Sequence, residues 1–122
     1  MSRFFVYLKE VQIMKVMNEL TPSEELVMKA IWNSRKEPVL QDVLLQVNDI
    51  RGKGWAPQTV STYLAKLCKK GYILLMKNGK ISRYKVLADE REYQKRKLKK
   101  MLMYIYNNDE DLLQEDMKQL VG

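Results

Sequence analysis

The feature that most constrains the fold is a helical pattern over residues 57–70 that stops at Gly71. Apolar residues recur at i, i+4 and i+7 in this stretch, which predicts a helix with one buried face. The residues of that face are Val60, Leu64 and Leu67. Gly71 stands where a helix end favours a residue with left-handed backbone geometry. The sequence therefore predicts an amphipathic helix with a sharp end.

A β-hairpin is predicted immediately after this helix. Residues 72–77 and 81–86 are strand-like runs rich in branched and aromatic side chains, and Asn78-Gly79 lies between them. Asn-Gly is the dipeptide most typical of a tight hairpin turn. The hairpin is therefore a candidate wing beside the helix.

Two more helices are predicted upstream. Thr21 can cap a helix, Pro22 suits its first turn, and Glu24 is placed for a capping box, so a helix is expected from here to about Ser34. A second helix is expected over residues 40–48, before a glycine-containing loop. Three helices and a hairpin predict a mainly α fold with a small β-hairpin: a winged helix-turn-helix domain over residues 20–88.

The C-terminal region, residues 89–122, is predicted to be helical and to mediate dimerisation. Its apolar residues form two stripes at helical spacing, separated by a polar break at residues 107–111. A winged helix has little surface on which to bury both stripes, so a two-fold dimer is expected. The alternative is that both helices fold back on their own chain. The interface residues predicted from the stripes are Leu98, Met101, Leu102, Ile105, Leu113, Met117 and Leu120.

The first segment, residues 1–19, is an apolar arm that the sequence assigns in two ways. It is either a short packed helix or an extension upstream of a translation start at Met14 or Met17.

The charge distribution points to an anionic partner. The formal net charge is +7, and the span from Arg51 to Lys85 holds nine bases and no acid. A solvated protein face normally mixes both signs, so an acid-free span predicts a local positive field. Nucleic acid and a membrane surface are the anionic partners that fit such a charge, and the alternative is a protein that is merely basic and soluble. No apolar run reaches the length needed to cross a membrane, so no membrane partner is expected.

The helix over residues 57–70 carries the features of a DNA-reading helix. Small hydroxyl side chains near its start allow close approach to a groove, and lysines along it and on the wing neutralise phosphates. Each of these residues taken singly also has a structural explanation that needs no DNA, since hydroxyl side chains occur on ordinary helices and lysines suit a helix C-terminus. Trp55 is expected to anchor the preceding loop. The predicted DNA-binding residues are Gln58, Thr59, Ser61, Thr62, Tyr63, Lys66, Lys69, Lys70, Lys77, Lys80 and Arg83.

Several function classes are disfavoured by composition. The chain has no histidine and one cysteine, Cys68, so a thiolate–imidazole metal site is not expected, nor is an internal disulfide. A single cysteine fits a reducing compartment, and the chain is expected to be cytoplasmic. The carboxylates cluster at helix starts rather than in a pattern that suggests acid–base catalysis, so no enzyme and no cofactor are expected.

The chain resembles the penicillinase-repressor family of BlaI/MecI/CopY transcriptional regulators from about Leu20 to Tyr106. The resemblance lies in "LTPSEELVMKAIW", "WAPQTVSTYLAKLCKKGYI" and "NGKISRYKV". It implies a homodimer that represses transcription by binding a palindromic operator in double-stranded DNA. It also implies that Thr59, Ser61, Thr62 and Lys66 face the DNA. Glu92-Tyr93 resembles the start of the family's dimerisation helix, which adds Tyr93 to the expected interface.

Some departures from the family pattern limit what the resemblance implies. Lys66 stands where the family often has arginine, and lysine is a point charge that lacks the bidentate fork. No cysteine lies in the C-terminal region, so copper sensing is not supported, and no segment matches the site where a regulatory protease cuts penicillin-responsive members. The alternative function is a winged-helix protein-interaction module without specific DNA binding.

Overall fold

The computed structural model of the 122-residue chain describes residues 19–122. The arm expected over residues 1–19 therefore lies outside the described residues, apart from Glu19. The chain divides into two compact units, one that ends at Ala88 and one over residues 89–122.

Helix α1, Pro22–Trp32, begins with the predicted capping box. The Thr21 Oγ1 atom accepts from the Glu24 amide at 3.2 Å, and Glu24 Oε1 accepts from the Thr21 amide at 2.8 Å. Two otherwise unpaired donors of the first turn are thereby satisfied, which typically stabilises a helix by about 1 kcal/mol. The helix ends at Trp32, whose indole Nε1 donates to the Ala88 carbonyl at 2.9 Å.

Helix α2, Leu40–Leu45, continues into a wider π-helical turn, Gln46–Ile50. The predicted end at residue 48 is two residues short, because periodicity of 3.6 cannot reveal a turn with i to i−5 bonding. Val43 and Val47 are fully buried, whereas Leu45 and Ile50 are exposed apolar residues of the same stretch. The wider turn leads into the loop before the next helix.

Helix α3, Pro57–Lys69, confirms the predicted amphipathic helix. Val60, Leu64 and Leu67 are fully buried, and each such side chain contributes roughly 1.5–3 kcal/mol of burial free energy. Gly71 ends the helix with φ +84°, in the left-handed region that favours glycine.

The hairpin pairs β1, Ile73–Asn78, with β2, Ile81–Val86, in antiparallel register. The turn lies one residue later than predicted, because Asn78 still pairs with Ile81 and the two linking residues are Gly79 and Lys80. Gly79 has φ +67°, which an L side chain rarely adopts.

The core of the first unit lies among α1, α2, α3 and the start of β1. Besides the α2 and α3 residues, its buried members are Leu20, Val27, Met28, Ala30, Ile31, Tyr72, Ile73 and Ala88. The Tyr84 amide on β2 donates to the Pro38 carbonyl at 3.0 Å, which joins the hairpin to the α1–α2 connection. The mainly α fold with a small β-hairpin is confirmed.

The second unit consists of two helices and a tight connection. Helix α4, Glu90–Lys100, is capped by the Asp89 carboxylate and widens into a π-helical turn, Met101–Ile105. Helix α5, Glu110–Val121, is capped by the Asp109 carboxylate. The link between them reverses direction through Asn107 and Asn108, with φ of 51° and 64°. The Tyr106 hydroxyl donates to Asp116 Oδ2 at 2.9 Å and joins the two helices, and this hydrogen bond is the main cause that raises the pKa of the Tyr106 phenol.

Candidate nucleic-acid interface

One side of α3 forms a continuous outward face opposite its buried stripe. Its residues recur at the three- and four-residue spacing that aligns side chains on a helix. All six of these residues are exposed: Gln58, Ser61, Thr62, Ala65, Lys66 and Lys69. We call these six residues the outward face. Its first half is small and polar and its second half is positive, so it offers hydrogen-bonding groups and cations without bulk.

The start of α3 differs from that of the other described helices. Its N-cap is Ala56, which makes no side-chain cap, and its first turn carries no acid. The described starts of α1, α2, α4 and α5 all carry acids in the first turn. Pro57 has no N–H, so the first backbone N–H of the helix belongs to Gln58. No carbonyl of the helix is placed to accept from it. The first turn of α3 therefore offers free amide donors and the positive end of the helix dipole, with no acid of its own beside them.

Trp55 is the packing anchor in front of α3. Its amide donates to Asn48 Oδ1 at 2.7 Å and its carbonyl accepts from Asn48 Nδ2 at 2.8 Å. Its ring stacks on Tyr63, with centroids 5.1 Å apart and planes 28° apart. We call this arrangement the Asn48 clamp. It fixes the loop against the helix.

Tyr63 contacts Trp55 of the Asn48 clamp, and Lys66 contacts Tyr63. The Lys66 ammonium lies 5.4 Å from the centre of the Tyr63 ring, within range of a cation–π interaction. Tyr63 is half-buried. Its ring packs on Trp55, and part of the side chain remains accessible to solvent. Asn48 holds Trp55, Trp55 stacks on Tyr63, and Tyr63 contacts the Lys66 ammonium. These contacts limit the positions that the Lys66 charge can take.

Two hydroxyl residues of α3 are placed differently from each other. Thr62 lies in the outward face, and its Oγ1 donates to the Gln58 carbonyl at 3.0 Å. Its oxygen remains able to accept, so toward a base edge it suits a donor such as an amino group. Thr59 is half-buried and lies at the margin of the outward face.

Lys70 is engaged in a buried ion pair rather than presented to solvent. Its Nζ lies 2.6 Å from Glu24 Oε1 and 3.1 Å from the Glu19 carbonyl oxygen. The side chain of Glu24 is 3% exposed and that of Lys70 is 25% exposed. Burial alone raises the pKa of Glu24, but the hydrogen bonds and charge from Lys70, with those from Thr21, hold it below its ordinary value. The Lys70 ammonium already has two partners, so a DNA contact would compete with them, and that contact stays a prediction.

Of the three wing bases predicted to bind DNA, two are exposed to solvent and the third donates a hydrogen bond within the protein. Lys77 on β1 and Lys80 in the turn are exposed. Arg83 is half-buried, and its Nη1 donates to the Glu37 carbonyl at 3.2 Å. Arg83 thus ties the wing to the α1–α2 connection, and Lys77 and Lys80 carry the charge that is open to a partner.

Cys68 is the single cysteine of the chain. It is half-buried on α3, and burial raises the pKa of its thiol, with a smaller opposing contribution from a backbone hydrogen bond at Leu75. The thiol is therefore protonated at neutral pH and is a poor nucleophile.

The second unit carries a different surface, which is apolar. Exposed fractions are 48% for Leu98, 70% for Ile105 and 87% for Leu120. Met101 and Met117 are also exposed, whereas Leu102 and Leu113 are half-buried. These exposures refer to residues 19–122, and both the dimer and the alternative that the helices fold back on their own chain stay predictions. Tyr93, in contrast, is only 8% exposed within one chain, and its place in the expected interface stays a prediction.

Sequence reasoning missed two residues that shape the first unit. Asn48 showed no signal, because its role depends on the π-helical turn. Glu24 was assigned to the cap alone, and its second role became visible only when the fold placed Lys70 beside it. Ala65 lies within the outward face as a small residue, although the sequence marked it for no role.

Within residues 19–122, no group of three or more His, Cys, Asp or Glu side chains is placed to hold a metal ion. None of the helices in that part of the chain is long and apolar enough to cross a membrane.

Comparison with known proteins gives a consistent result over most of the chain. The sequence profile of the family described as Penicillinase repressor matches residues 20–120. The methicillin resistance regulatory protein MecI of Staphylococcus aureus (strain N315) is 26% identical over 116 residues, which cover 84% of this chain and 89% of that protein. The penicillinase repressor of Bacillus licheniformis is 30% identical over 94 residues, covering 77% of this chain and 71% of that protein.

Two solved structures are each similar to 63% of this chain. The solution structure of the DNA-binding domain of the repressor BlaI has a TM-score of 0.53 and 28% identity, covering 63% of this chain and 90% of that one. The Bacillus licheniformis BlaI monomeric form in complex with the blaP half-operator has a TM-score of 0.52, with the same identity and coverage. A family profile that spans nearly the whole described chain, together with a winged-helix fold shared with a DNA-binding domain, establishes the relationship. The chain belongs to the penicillinase repressor family, whose members are DNA-binding transcriptional repressors and not enzymes.

Proposed function

We propose that this protein is a cytoplasmic homodimer that represses transcription by binding a palindromic operator in double-stranded DNA. In this proposal residues 20–88 bind DNA and residues 89–122 mediate dimerisation. The observation that carries it is the outward face of α3, which is exposed along its length and lies within a span that holds no acid.

The proposed contacts divide by chemistry. Gln58, Ser61 and Thr62 suit base edges and nearby phosphates because they are short, polar and at the start of α3. Lys66 and Lys69 extend the positive charge toward the helix end, and the wing adds Lys77 and Lys80. Thr59, Tyr63 and Arg83 are proposed as supporting residues at the margin, since each is half-buried.

The solved BlaI complex supports this arrangement by analogy. It joins a monomer to half of an operator, which suits a site where two copies occupy two half-sites. Two α3 helices related by a two-fold axis would enter major grooves separated by one helical turn, about 34 Å, or a multiple of it. The uncovered apolar residues of α4 and α5 provide the surface through which two copies would associate.

The protein-interaction alternative has less support. Membership in a family of DNA-binding repressors argues against a winged helix used only for protein contacts. A basic surface made to attract an acidic protein would also not need the small, uncapped start of α3.

The test is selection of binding sites from a random-sequence duplex library, followed by fluorescence anisotropy on the selected duplex. We expect the selected sequences to contain an inverted repeat, and we expect affinity for random duplex to fall steeply as salt rises. Enrichment of a single unpaired half-site would contradict the dimeric reading. Failure to bind any duplex at low salt would contradict DNA binding itself.

A further inference from the structure

Asn78 and Gly79 lie at the tip of the wing, where the hairpin reverses direction. Both residues are exposed, and open space surrounds Gly79 where a Cβ would be. Asn78 is the last residue of β1, and its pair with Ile81 is the final pair of the ladder. A terminal pair at an exposed tip opens at a lower free-energy cost than pairs deeper in a structure. The backbone at Asn78 is therefore accessible and able to change conformation.

An asparagine that precedes a glycine can lose ammonia without an enzyme. The backbone nitrogen of the glycine attacks the side-chain carbonyl carbon of the asparagine. The bond from that carbon to the side-chain nitrogen breaks, and ammonia leaves with the proton of the glycine N–H. Water then opens the resulting cyclic imide at either carbonyl and gives aspartate or isoaspartate. Glycine favours the attack because it has no Cβ to restrict the backbone or crowd the approach.

The structure separates Asn78 from the other four asparagines of residues 19–122, which are Asn33, Asn48, Asn107 and Asn108. Only Asn78 precedes a glycine, and no acceptor within residues 19–122 takes the Gly79 N–H. The N–H groups that follow Asn33, Asn107 and Asn108 donate to backbone carbonyls at 3.1, 2.7 and 2.9 Å. The side-chain amide of Asn48 is held by the two hydrogen bonds of the Asn48 clamp. The attacking nitrogen is thus free at Asn78 alone among these residues.

A conversion at Asn78 would change the charge of the wing tip. Lys77 and Lys80 stand on either side of the Asn78-Gly79 pair, and both are exposed. The asparagine side chain is neutral, whereas the carboxyl group of either product is ionised at neutral pH. Isoaspartate also leads the backbone through its own Cβ, which disturbs the pair with Ile81. Conversion therefore places a negative charge beside the two lysines that the wing offers to phosphates.

From these observations we propose that Asn78 is a site of spontaneous deamidation, and that its conversion weakens the hold of the wing on DNA. The first part stands on the geometry of the wing tip, and the second rests on the proposed function. A newly made copy carries two lysines and a neutral amide at the tip, and a converted copy carries two lysines and a carboxylate.

Peptide mass spectrometry on aged protein tests the chemistry. The full chain is incubated in mildly alkaline buffer and digested with pepsin at low pH. We expect the peptide with Asn78 to gain the mass difference between an amide and a carboxylic acid, while the peptides with Asn48 and Asn108 stay unchanged. The matched control is Asn78→Gln, which keeps an amide but closes a ring more slowly because its side chain is longer. Absent conversion at Asn78, or equal conversion at the other asparagines of the folded chain, would overturn the proposal.

Fluorescence anisotropy with a random-sequence duplex tests the consequence for DNA. Asn78→Asp reproduces the aspartate product, and Asn78→Gln keeps the tip neutral. We expect the dissociation constant of Asn78→Asp to exceed that of Asn78→Gln by roughly threefold to tenfold at low salt, because each protomer gains one negative charge near the phosphates. Equal dissociation constants for the two variants would reject the weakening.

The two measurements separate this proposal from the one on which it rests. A wild-type chain that binds no duplex at low salt would reject the proposed function and the effect on DNA, and the mass change would still decide whether Asn78 converts. A chain that binds DNA but keeps its mass at Asn78 would reject the deamidation site and leave the proposed function in place.

Discussion

The adjacent lysines Lys69 and Lys70 are expected to have different roles, although they share a residue type and a helix end. Lys70 lies in the buried ion pair with Glu24, and Lys69 lies in the outward face. Replacing each with methionine keeps most of the side-chain stem and removes the charge. We expect Lys70→Met to lower the free energy of unfolding and Lys69→Met to weaken DNA binding.

The size of the Lys70→Met effect follows from its contacts. Its ammonium provides a 2.6 Å contact to a carboxylate that is 3% exposed, and a 3.1 Å contact to the Glu19 carbonyl. Removing one partner of a buried pair costs about 3–5 kcal/mol, because the other charge stays buried. Since the Lys70 side chain is itself 25% exposed, and Glu24 keeps its bond from the Thr21 amide, we expect about 2–4 kcal/mol. Lys69→Met should change stability by less than about 0.5 kcal/mol, as for other exposed positions.

The dependence on pH gives a second check. The pKa of Glu24 lies below its ordinary value of 4.5, so the pair stabilises the fold above that pH and loses its effect as pH falls through the lowered folded-state pKa. In Lys70→Met the pKa of Glu24 loses the lowering contributed by Lys70 and keeps that of the Thr21 hydrogen bonds, so burial shifts the balance toward the protonated form. The stability difference between wild type and variant should therefore be largest at neutral pH and shrink below about pH 4.5.

Urea unfolding followed by far-ultraviolet circular dichroism measures the stability of both variants, and fluorescence anisotropy measures their DNA binding. The double variant Glu24→Gln/Lys70→Met should cost less than Lys70→Met alone, since no buried charge remains. If Lys70→Met keeps wild-type stability and loses as much DNA affinity as Lys69→Met, then the assignment of the two lysines is wrong.

Four further predictions concern the DNA-facing and dimer surfaces. Lys66→Ala should lower operator affinity by about 1–3 kcal/mol if this lysine reads a base, with Lys118→Ala on α5 as a control that removes the same charge and leaves binding unchanged. Lys77→Ala with Lys80→Ala should weaken binding to all duplexes alike and, because each of the two protomers loses two lysines, reduce the slope of log affinity against log salt by about 4; a change confined to the operator would contradict a phosphate role. Asn48→Ala should cost about 1–2 kcal/mol of stability by leaving the Trp55 backbone groups without the clamp, and it should reduce the ratio of operator to random-duplex affinity, which a purely structural role would leave unchanged. Ile105→Asp should yield monomers by sedimentation velocity, and an intact dimer would place the interface elsewhere.

The sequence predicted the fold where a local pattern determined the structure. The capping box at Thr21, the buried stripe of α3 and the left-handed Gly71 each depend on residues close together in the chain, and each is confirmed. The hairpin was predicted with its turn one residue early, because Asn78-Gly79 suits one turn type and the strands pair through Asn78 instead.

The roles of single residues were less predictable, because they depend on partners far along the chain. Lys70 and Glu24 are 46 residues apart, and nothing in the local sequence of either indicates the ion pair. Arg83 reaches the carbonyl of Glu37 at the same separation. The acid-free span predicted a positive surface, but only the fold shows which of its bases are exposed and which already have protein partners.

The bare start of α3 has a consequence for how this helix behaves in the free protein. A side-chain cap typically contributes about 1 kcal/mol, and the first turn of α3 forgoes it. That turn should fray more readily than the start of α1, and its amides should exchange with deuterium faster. A phosphate oxygen seated at Gln58 would supply the missing acceptor, so part of the free energy of association would appear as slower amide exchange in that one turn.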